Sequence, residues 1–115
     1  MPLVRLTSSA QRSPAASQAL LRSLSRLVAD RLGKPEDYVM TCFVPASMTF
    51  AGTDEPCAFL ELKSIGRFSP QQTRDLSKVL CPLVGEALGL PPSRVYIEFE
   101  DAKGDLWGHD SDTFG

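Results

Sequence analysis

The sequence predicts a small α/β (α+β) protein built from a duplicated β-α-β unit, with one four-stranded mixed sheet and both helices on one sheet face. Two observations support this fold class. Comparison of the chain with itself at an offset of 56 residues aligns apolar positions and turn residues in the same order. Each half also carries a strand pattern, a helix start signal, an apolar helical stripe, a glycine stop and a second strand pattern.

The opening strands and helices of the two units match most clearly. The alternating segment 3–8 aligns with 59–64. Ser13-Pro14 and Ser69-Pro70 each place a serine N-cap before a proline at the first helical position, where a missing N–H group costs nothing. We therefore predict strands over 2–8 and 57–65 and helices over 14–32 and 70–88.

The helix ends and second strands also match. Gly33 and Gly89 supply the left-handed position that ends a helix. Pro82 lies inside the second helical pattern and is expected to kink that helix, at a cost of about 3 kcal/mol. Second strands are predicted over 38–45 and 94–100, with a short terminal strand near 105–109.

Length, charge and cysteine usage restrict the classes of function. The chain of 115 residues carries a formal net charge of −2, which fits one domain over 1–115 with repeats at about 2–45 and 57–101. Scattered charges, the absence of a long apolar run and the lack of a signal-peptide pattern predict no nucleic-acid partner, no membrane partner and a cytoplasmic location. Three cysteines and one histidine without metal-ligand spacing predict reduced thiols and no metal.

The second strand indicates an oligomer. Met40, Cys42 and Val44 should point to one side of the sheet, and Val39 and Phe43 to the other. Both sets are apolar, so both sheet faces favour burial, whereas a two-layer monomer buries only one. We therefore expect an obligate oligomer whose subunits cover the second face.

Pro2 is the first candidate site residue. A small second residue usually permits removal of the initiator methionine, which would give Pro2 a free secondary amine. Free α-amino groups titrate at about pH 7.7–8.0, and partial burial lowers that pKa. Pro2 would then be a general base matched to ambient pH. If Met1 stays attached, the nitrogen is a tertiary amide without basicity, and the alternative is an incidental proline near a frayed terminus.

Short motifs spread over nearly the whole chain resemble the tautomerase superfamily, and specifically the macrophage migration inhibitory factor family. They occur in the family's order with little net gap. These motifs are Met1-Pro2, Gly33-Lys34-Pro35, Tyr38, Glu55-Pro56-Cys57-Ala58, Ser64-Ile65-Gly66, Ser77-Lys78, Pro92-Ser93-Arg94-Val95-Tyr96-Ile97 and Thr113-Phe114.

The resemblance implies a homotrimer with active sites between subunits. It implies cofactor-free keto–enol tautomerisation of 2-oxo acids such as phenylpyruvate. Pro2 would be the catalytic base, Lys34 would hold the substrate carboxylate, and the backbone N–H of Ile65 would assist. Tyr96 would line the pocket from a neighbouring subunit. Further wall residues would be Tyr38, Ser64 and Phe114.

The chain departs from the family pattern at several positions. Cys57 lacks the second thiol of the animal cytokine's CxxC, so no thiol–disulfide activity is expected. Glu98 replaces an asparagine and Lys63 a histidine at the pocket rim. A carboxylate at Glu98 would repel an anionic substrate tail and would offer no N–H donor to a phenol oxygen, so we expect hydroxyphenylpyruvate to be a poorer substrate than phenylpyruvate. His109 is the only histidine, and it is expected at the surface or rim.

Other interpretations of the same residues stay open. Lys34 alone fits a solvated cation at a helix end, and Tyr96 fits a half-buried strand aromatic. A receptor-binding, cytokine-like protein with vestigial catalysis is the main alternative function. A structural trimer in which Pro2 has no chemical role is another. Export without a signal peptide is the alternative to a cytoplasmic location, because relatives leave cells in that way.

Overall fold

The computed structural model describes residues 2–115, and the expected removal of Met1 falls outside them. Those residues form a four-stranded sheet with two helices, in the order that the duplicated unit predicts. The main elements are β1 (Leu3–Ser8), α1 (Pro14–Leu32), β2 (Met40–Pro45), β3 (Ala58–Ile65), α2 (Pro70–Leu88) and β4 (Val95–Ala102). A small hairpin of β5 (Gly108–His109) and β6 (Asp112–Thr113) follows them.

The sheet has the strand order β2-β1-β3-β4. Within each unit the strands are parallel, β1 with β2 and β3 with β4, whereas β1 and β3 are antiparallel. The sheet is therefore mixed, as predicted, because each helix returns the chain to a parallel neighbour. β1 and β3 become interior strands, and β2 and β4 become the edges.

Both helices pack on the same face of the sheet, which confirms the predicted two-layer arrangement. The alternating residues of the interior strands, Val4 and Leu6 in β1 and Leu60 and Leu62 in β3, are fully buried. Each such side chain stabilises the fold by about 1.5–3 kcal/mol relative to an exposed one. The helices contribute most of the predicted stripe to this core, through Leu20, Leu24, Val28, Leu76, Leu80 and Val84. Leu27 and Leu83, also predicted, are only partly buried, whereas Leu21 and Leu88 are buried as well.

The helix termini follow the predicted chemistry. The Oγ atoms of Ser13 and Ser69 accept hydrogen bonds from backbone N–H groups in the first turns of α1 and α2. Gly33 and Gly89 end the helices with left-handed φ angles of 62° and 69°. Pro82 does not end α2, which continues to Leu88, and its ring lies on the exposed side of the helix.

Several strand boundaries differ from the prediction, and β1 and β3 each begin one residue later than predicted. β2 begins at Met40 because Glu36–Tyr38 form a 3₁₀ turn, in place of a strand from 38. β4 covers Val95–Ala102 rather than 94–100. The terminal strand expected near 105–109 is wrong in its first part, because Gly104–Leu106 form another 3₁₀ turn. Single turns of this kind leave no periodic pattern in the sequence.

The second sheet face has no covering layer within residues 2–115. Met40 is 66% exposed on edge strand β2, and Tyr96 is 63% exposed on edge strand β4. The middle of the face carries charge as well, which the prediction of an apolar face did not include. Ion pairs join Arg5 to Glu61, Glu61 to Lys63 and Lys63 to Glu100 across strands β1, β3 and β4.

Gly85 provides a test of the packing between α2 and the loop that follows it. Alanine usually stabilises a helix interior relative to glycine by about 1 kcal/mol. Here a Cβ atom would lie 2.6 Å from the carbonyl oxygen of Leu90, which is backbone. We therefore expect Gly85→Ala to lower the free energy of unfolding by about 1–3 kcal/mol in urea denaturation.

The neighbouring substitution Glu86→Ala is the control, since Glu86 is exposed. It should change the free energy of unfolding by less than about 0.5 kcal/mol. An increase in stability for Gly85→Ala would contradict the close approach of the loop.

Candidate active site

Pro2 lies immediately before β1 and is fully buried. Its carbonyl accepts a hydrogen bond of 3.0 Å from the backbone N–H of Met40. Leu3 pairs with Lys63 in the antiparallel register, so Pro2 lies opposite Ser64, one position further along. Pro2 is therefore tied to β2 through its carbonyl, and it leads directly into an interior strand.

Pro2 forms part of the wall of a cavity of about 370 Å³. That volume lies in the range of small-molecule sites, about 300–1,000 Å³. One side of the cavity comes from residues 37–39 before β2 and from Met40 at its start, and the other comes from residues 107–109 and Phe114. The structure therefore places Pro2 and two of the predicted wall residues, Tyr38 and Phe114, around one cavity.

Three rings form a contiguous wall in this cavity. The Tyr38 ring meets His109 edge-on at 5.8 Å and Phe114 edge-on at 6.0 Å between centroids. The His109 and Phe114 rings stack at 5.6 Å with an interplanar angle of 14°. These separations fall within the favourable range for ring pairs. The wall suits a flat, apolar part of a ligand, with an imidazole and a phenol as polar groups.

A tight turn brings the C-terminal rings into the cavity. Asp110 and Ser111 connect β5 to β6 with φ angles of 50° and 67°, as in a type I′ turn. The N–H of Phe114 then donates to the carbonyls of Gly104 and Trp107 at 3.1 and 3.2 Å. The sequence analysis expected His109 at the surface or rim, and the structure places it in the cavity wall beside Trp107. The turn that follows it lacks the glycine that usually marks such a turn.

Lys34 and Ile65 meet at the same end of the sheet. Lys34 follows Gly33 after α1, and its Nζ donates a hydrogen bond of 3.1 Å to the carbonyl of Ile65. The Oγ of buried Ser64 lies 3.5 Å from the same carbonyl. Since an ammonium has three N–H donors, this bond fixes Lys34 while leaving donors for an anion. Its partner is the residue whose backbone the sequence analysis singled out.

Lys34, Ser64 and Ile65 lie at the Pro2 end of the sheet but are not part of the cavity wall, and Tyr96 lies far from Pro2 in its own protomer. It pairs with Phe59, which pairs with Thr7, five residues beyond Pro2 along β1. These positions are about 16 Å apart along the strand direction and about 10 Å across the sheet. Tyr96 instead contacts the ring of Phe50 at 4.7 Å.

A larger concavity of about 670 Å³ lies at the opposite end of the sheet, beside Ser8, Arg12 and Phe43. We favour the smaller cavity as the site because it contains Pro2 and the ring wall. In the larger one, the Arg12 guanidinium already donates to the carbonyls of Ala87 and Gln11.

Side-chain grouping in residues 2–115 is relevant to metal binding, and helix length and apolarity are relevant to membrane crossing. This part of the chain has no group of three or more histidine, cysteine, aspartate or glutamate side chains placed to hold a metal ion. None of its helices combines the length and apolarity that a membrane crossing requires. All three cysteines are free thiols, and burial raises the pKa of the Cys81 thiol.

The fold and the cavity define a protein of the tautomerase superfamily. The model of the family described as macrophage migration inhibitory factor (MIF) matches residues 1–115. The macrophage migration inhibitory factor of Meriones unguiculatus is 36% identical over 115 residues, covering 99% of each chain. That of Mus musculus is 39% identical over 98 residues, 84% of this chain and 85% of the relative.

Solved structures agree with the sequence comparison. The macrophage migration inhibitory factor homologue from Prochlorococcus marinus superposes with a TM-score of 0.92 at 39% identity, over 98% of this chain and 99% of that one. The Toxoplasma gondii protein gives the same TM-score at 31% identity, over 97% and 99%. The chain belongs to the macrophage migration inhibitory factor family.

The position of the C-terminal ring wall depends on Gly104. A Cβ atom there would lie 2.8 Å from the carbonyl oxygen of Phe114. We expect Gly104→Ala to displace Phe114 and to expose Trp107, the only tryptophan, which is half-buried. The emission of Trp107 should then shift to longer wavelength.

Lys103→Ala is the matched control, because Lys103 is the exposed neighbour of Gly104. It should leave the emission maximum of Trp107 where it is in the wild type. An unshifted maximum in Gly104→Ala as well would show that the ring wall tolerates a Cβ atom at that position.

Proposed function

We propose that this protein is a cofactor-free keto–enol tautomerase of phenylpyruvate-like aromatic 2-oxo acids, with Pro2 as general base. The single observation that carries the proposal is the position of Pro2 in an aromatic-walled cavity, held at the start of an interior strand. Family membership supports the reaction class, because members of this family are tautomerases.

The proposed chemistry moves one proton between carbon and oxygen. Once Met1 is removed, the Pro2 amine takes a proton from the carbon next to the substrate's carbonyl, and the C–H electron pair becomes the C=C bond of the enol. The carbonyl oxygen then receives the proton from the prolinium. Burial would favour the neutral form of this amine, because a dry site disfavours the ammonium form.

Lys34, Ile65 and Ser64 have supporting roles in the proposal. The hydrogen bond from Lys34 to the Ile65 carbonyl holds the ammonium at the cavity end of the sheet. There it would bind the substrate carboxylate, and the backbone N–H of Ile65 would donate to the same group. Tyr38, Ser64 and Phe114 would form the wall. A fixed positive charge also stabilises the enolate that develops during proton transfer.

We also propose that residues 1–115 act as one domain within a homotrimer. Two features support an assembly: the uncovered sheet face and the exposed Tyr96 on its edge. Tyr96 lies too far from Pro2 in its own protomer to share a ligand with it, so it would line the pocket of a neighbouring subunit. Three copies of a pocket, each made by two subunits, follow from this arrangement.

Substitution of Pro2 tests the base assignment. Pro2→Gly should lower kcat/KM for phenylpyruvate ketonisation, followed by ultraviolet absorbance, by about 10²-fold or more, because general-base catalysis contributes that much. Activity of the wild type should fall as pH falls through the amine's pKa, since only the neutral amine accepts a proton. Mass measurement of the N-terminus should accompany each assay.

Protein that retains Met1 is the matched control, because it differs from the processed wild type only in the methionine that blocks the Pro2 amine. It should be as inactive as Pro2→Gly. Full activity in either sample would remove Pro2 from the mechanism.

Glu98 provides a test of substrate preference. It is exposed on β4, two residues beyond Tyr96 and on the same sheet face. Its carboxylate offers no N–H donor to a phenol oxygen. We expect wild-type kcat/KM to be lower for hydroxyphenylpyruvate than for phenylpyruvate, and Glu98→Gln to narrow that difference by about three- to tenfold through the added amide donor. Equal values in the wild type would contradict this role.

The second candidate function is receptor binding, as a cytokine-like protein with weak tautomerase activity. The names of the mouse and gerbil relatives, which describe factors acting on macrophage migration, favour it. An expected cytoplasmic location argues for the enzyme, and export without a signal peptide would argue for the receptor ligand. The phenylpyruvate assay separates the two, since a vestigial site gives little activity in the processed wild type.

A further inference from the structure

Arg94 joins the connection between β2 and β3 to the start of β4. Its Nε donates a hydrogen bond of 2.9 Å to the carbonyl of Pro56, and its Nη2 donates one of 2.8 Å to the carbonyl of Glu55. The same Nη2 lies 3.4 Å from the carbonyl of Phe50. Three carbonyls of one connection therefore converge on a single guanidinium, a planar group suited to such multiple bonds.

The connection presents Phe50 on a tight turn. Phe50 and Thr53 exchange backbone hydrogen bonds of 3.0 and 3.1 Å. Between them Ala51 and Gly52 have φ angles of 55° and 74°, as in a type I′ turn. The guanidinium of Arg94 lies over the Phe50 ring, with Cζ 5.1 Å from the centroid, which is within the range of a cation–π contact.

Phe50 in turn contacts Tyr96. The two ring centroids are 4.7 Å apart at an interplanar angle of 52°. Phe50 is half-buried, whereas Tyr96 is mostly exposed. Arg94, Phe50 and Tyr96 thus form a chain of contacts that ends in an aromatic surface at the edge of the open sheet face. We call this surface, made of the Phe50 and Tyr96 rings, the aromatic pair.

We propose that Phe50 is a specificity-determining residue for aromatic substrates and that Arg94 is the positioning residue that sets it. Arg94 holds Phe50 against Tyr96, so that the aromatic pair of one protomer meets the substrate ring in the Pro2 cavity of the next. This inference rests on the proposed function, in which Tyr96 completes a neighbour's pocket. A ring that is free to turn away would contact the substrate less often, and the loss should appear in binding rather than in proton transfer.

Steady-state kinetics of Arg94→Lys, Phe50→Leu and the double variant test the proposal. Lysine keeps the charge but lacks the planar fork that reaches three carbonyls. Each single variant should raise KM for phenylpyruvate by about three- to tenfold, the value of one aromatic pair, with kcat changed by less than about twofold. KM for 2-oxohexanoate, which has no ring, should stay at the wild-type value.

The double variant distinguishes positioning from an independent contribution. If Arg94 acts through Phe50, the double variant should raise KM for phenylpyruvate no more than Phe50→Leu alone, because the two effects are not additive. The control is Arg26→Lys on the exposed side of α1, for which both KM values should match the wild type. Size-exclusion chromatography and thermal unfolding of every variant establish that each is assembled and folded.

Three results would overturn the inference. These are an unchanged KM for phenylpyruvate in Arg94→Lys, an equal rise in KM for both substrates, and additive effects in the double variant. If Arg94→Lys does not fold, Phe50→Leu tests the inference through the same comparison of KM for phenylpyruvate and for 2-oxohexanoate. Failure of the proposed function gives a different result, because Pro2→Gly would then keep wild-type rates. If only the inference about Arg94 and Phe50 fails, Pro2→Gly still loses activity, but KM for phenylpyruvate does not respond to substitution of Arg94.

Discussion

The candidate site depends on the interior position of β1. A chain terminus normally frays, because few contacts hold it. Here the first strand has hydrogen-bonded partners on both sides, and the carbonyl of Pro2 accepts the N–H of Met40. Pro2 is therefore fixed through its carbonyl and through the strand that follows it. If Pro2 is the base that we propose, folding has already ordered it, whereas a base on a flexible terminus would have to be ordered in each catalytic cycle.

The two repeats have the same architecture but opposite roles at their ends. At the repeat offset, Tyr38 corresponds to Arg94, and Met40 corresponds to Tyr96. In the first unit Tyr38 supplies a ring of the Pro2 cavity. In the second unit the corresponding residue, Arg94, supplies the guanidinium that lies over Phe50. Both units carry an exposed side chain with apolar surface near the start of an edge strand, Met40 on β2 and Tyr96 on β4. Duplication thus explains the shared fold. Different residues at equivalent positions explain why the first unit contributes to a cavity and the second unit holds the Phe50 ring in place.

The sequence was sufficient for the parts of the fold that periodicity and end signals determine. Both helices have the predicted limits, because Ser13-Pro14 and Gly33, and their counterparts in the second unit, act through local chemistry. The cavity wall was harder to predict from the sequence. Trp107 and His109 lie at a hairpin closed by the Asp110-Ser111 turn, and the two left-handed residues of that turn are not glycine. Likewise, the bond from Lys34 to Ile65 joins residues far apart in the chain, and no short pattern specifies it.

The open sheet face indicates what kind of assembly the protomer favours. Its middle is charged, and Arg5, Glu61, Lys63 and Glu100 pair across the strands, so this part tolerates water. Its edges carry Met40 and Tyr96, whose exposed apolar surface favours burial. A sheet face with a charged, solvated middle and apolar edges suits an assembly in which the sheets meet along their edges around a solvated centre. The proposed trimer would be such an assembly. In such an assembly Tyr96 would lie near a neighbour's Pro2 rather than its own, so binding of an aromatic substrate would depend on subunit association.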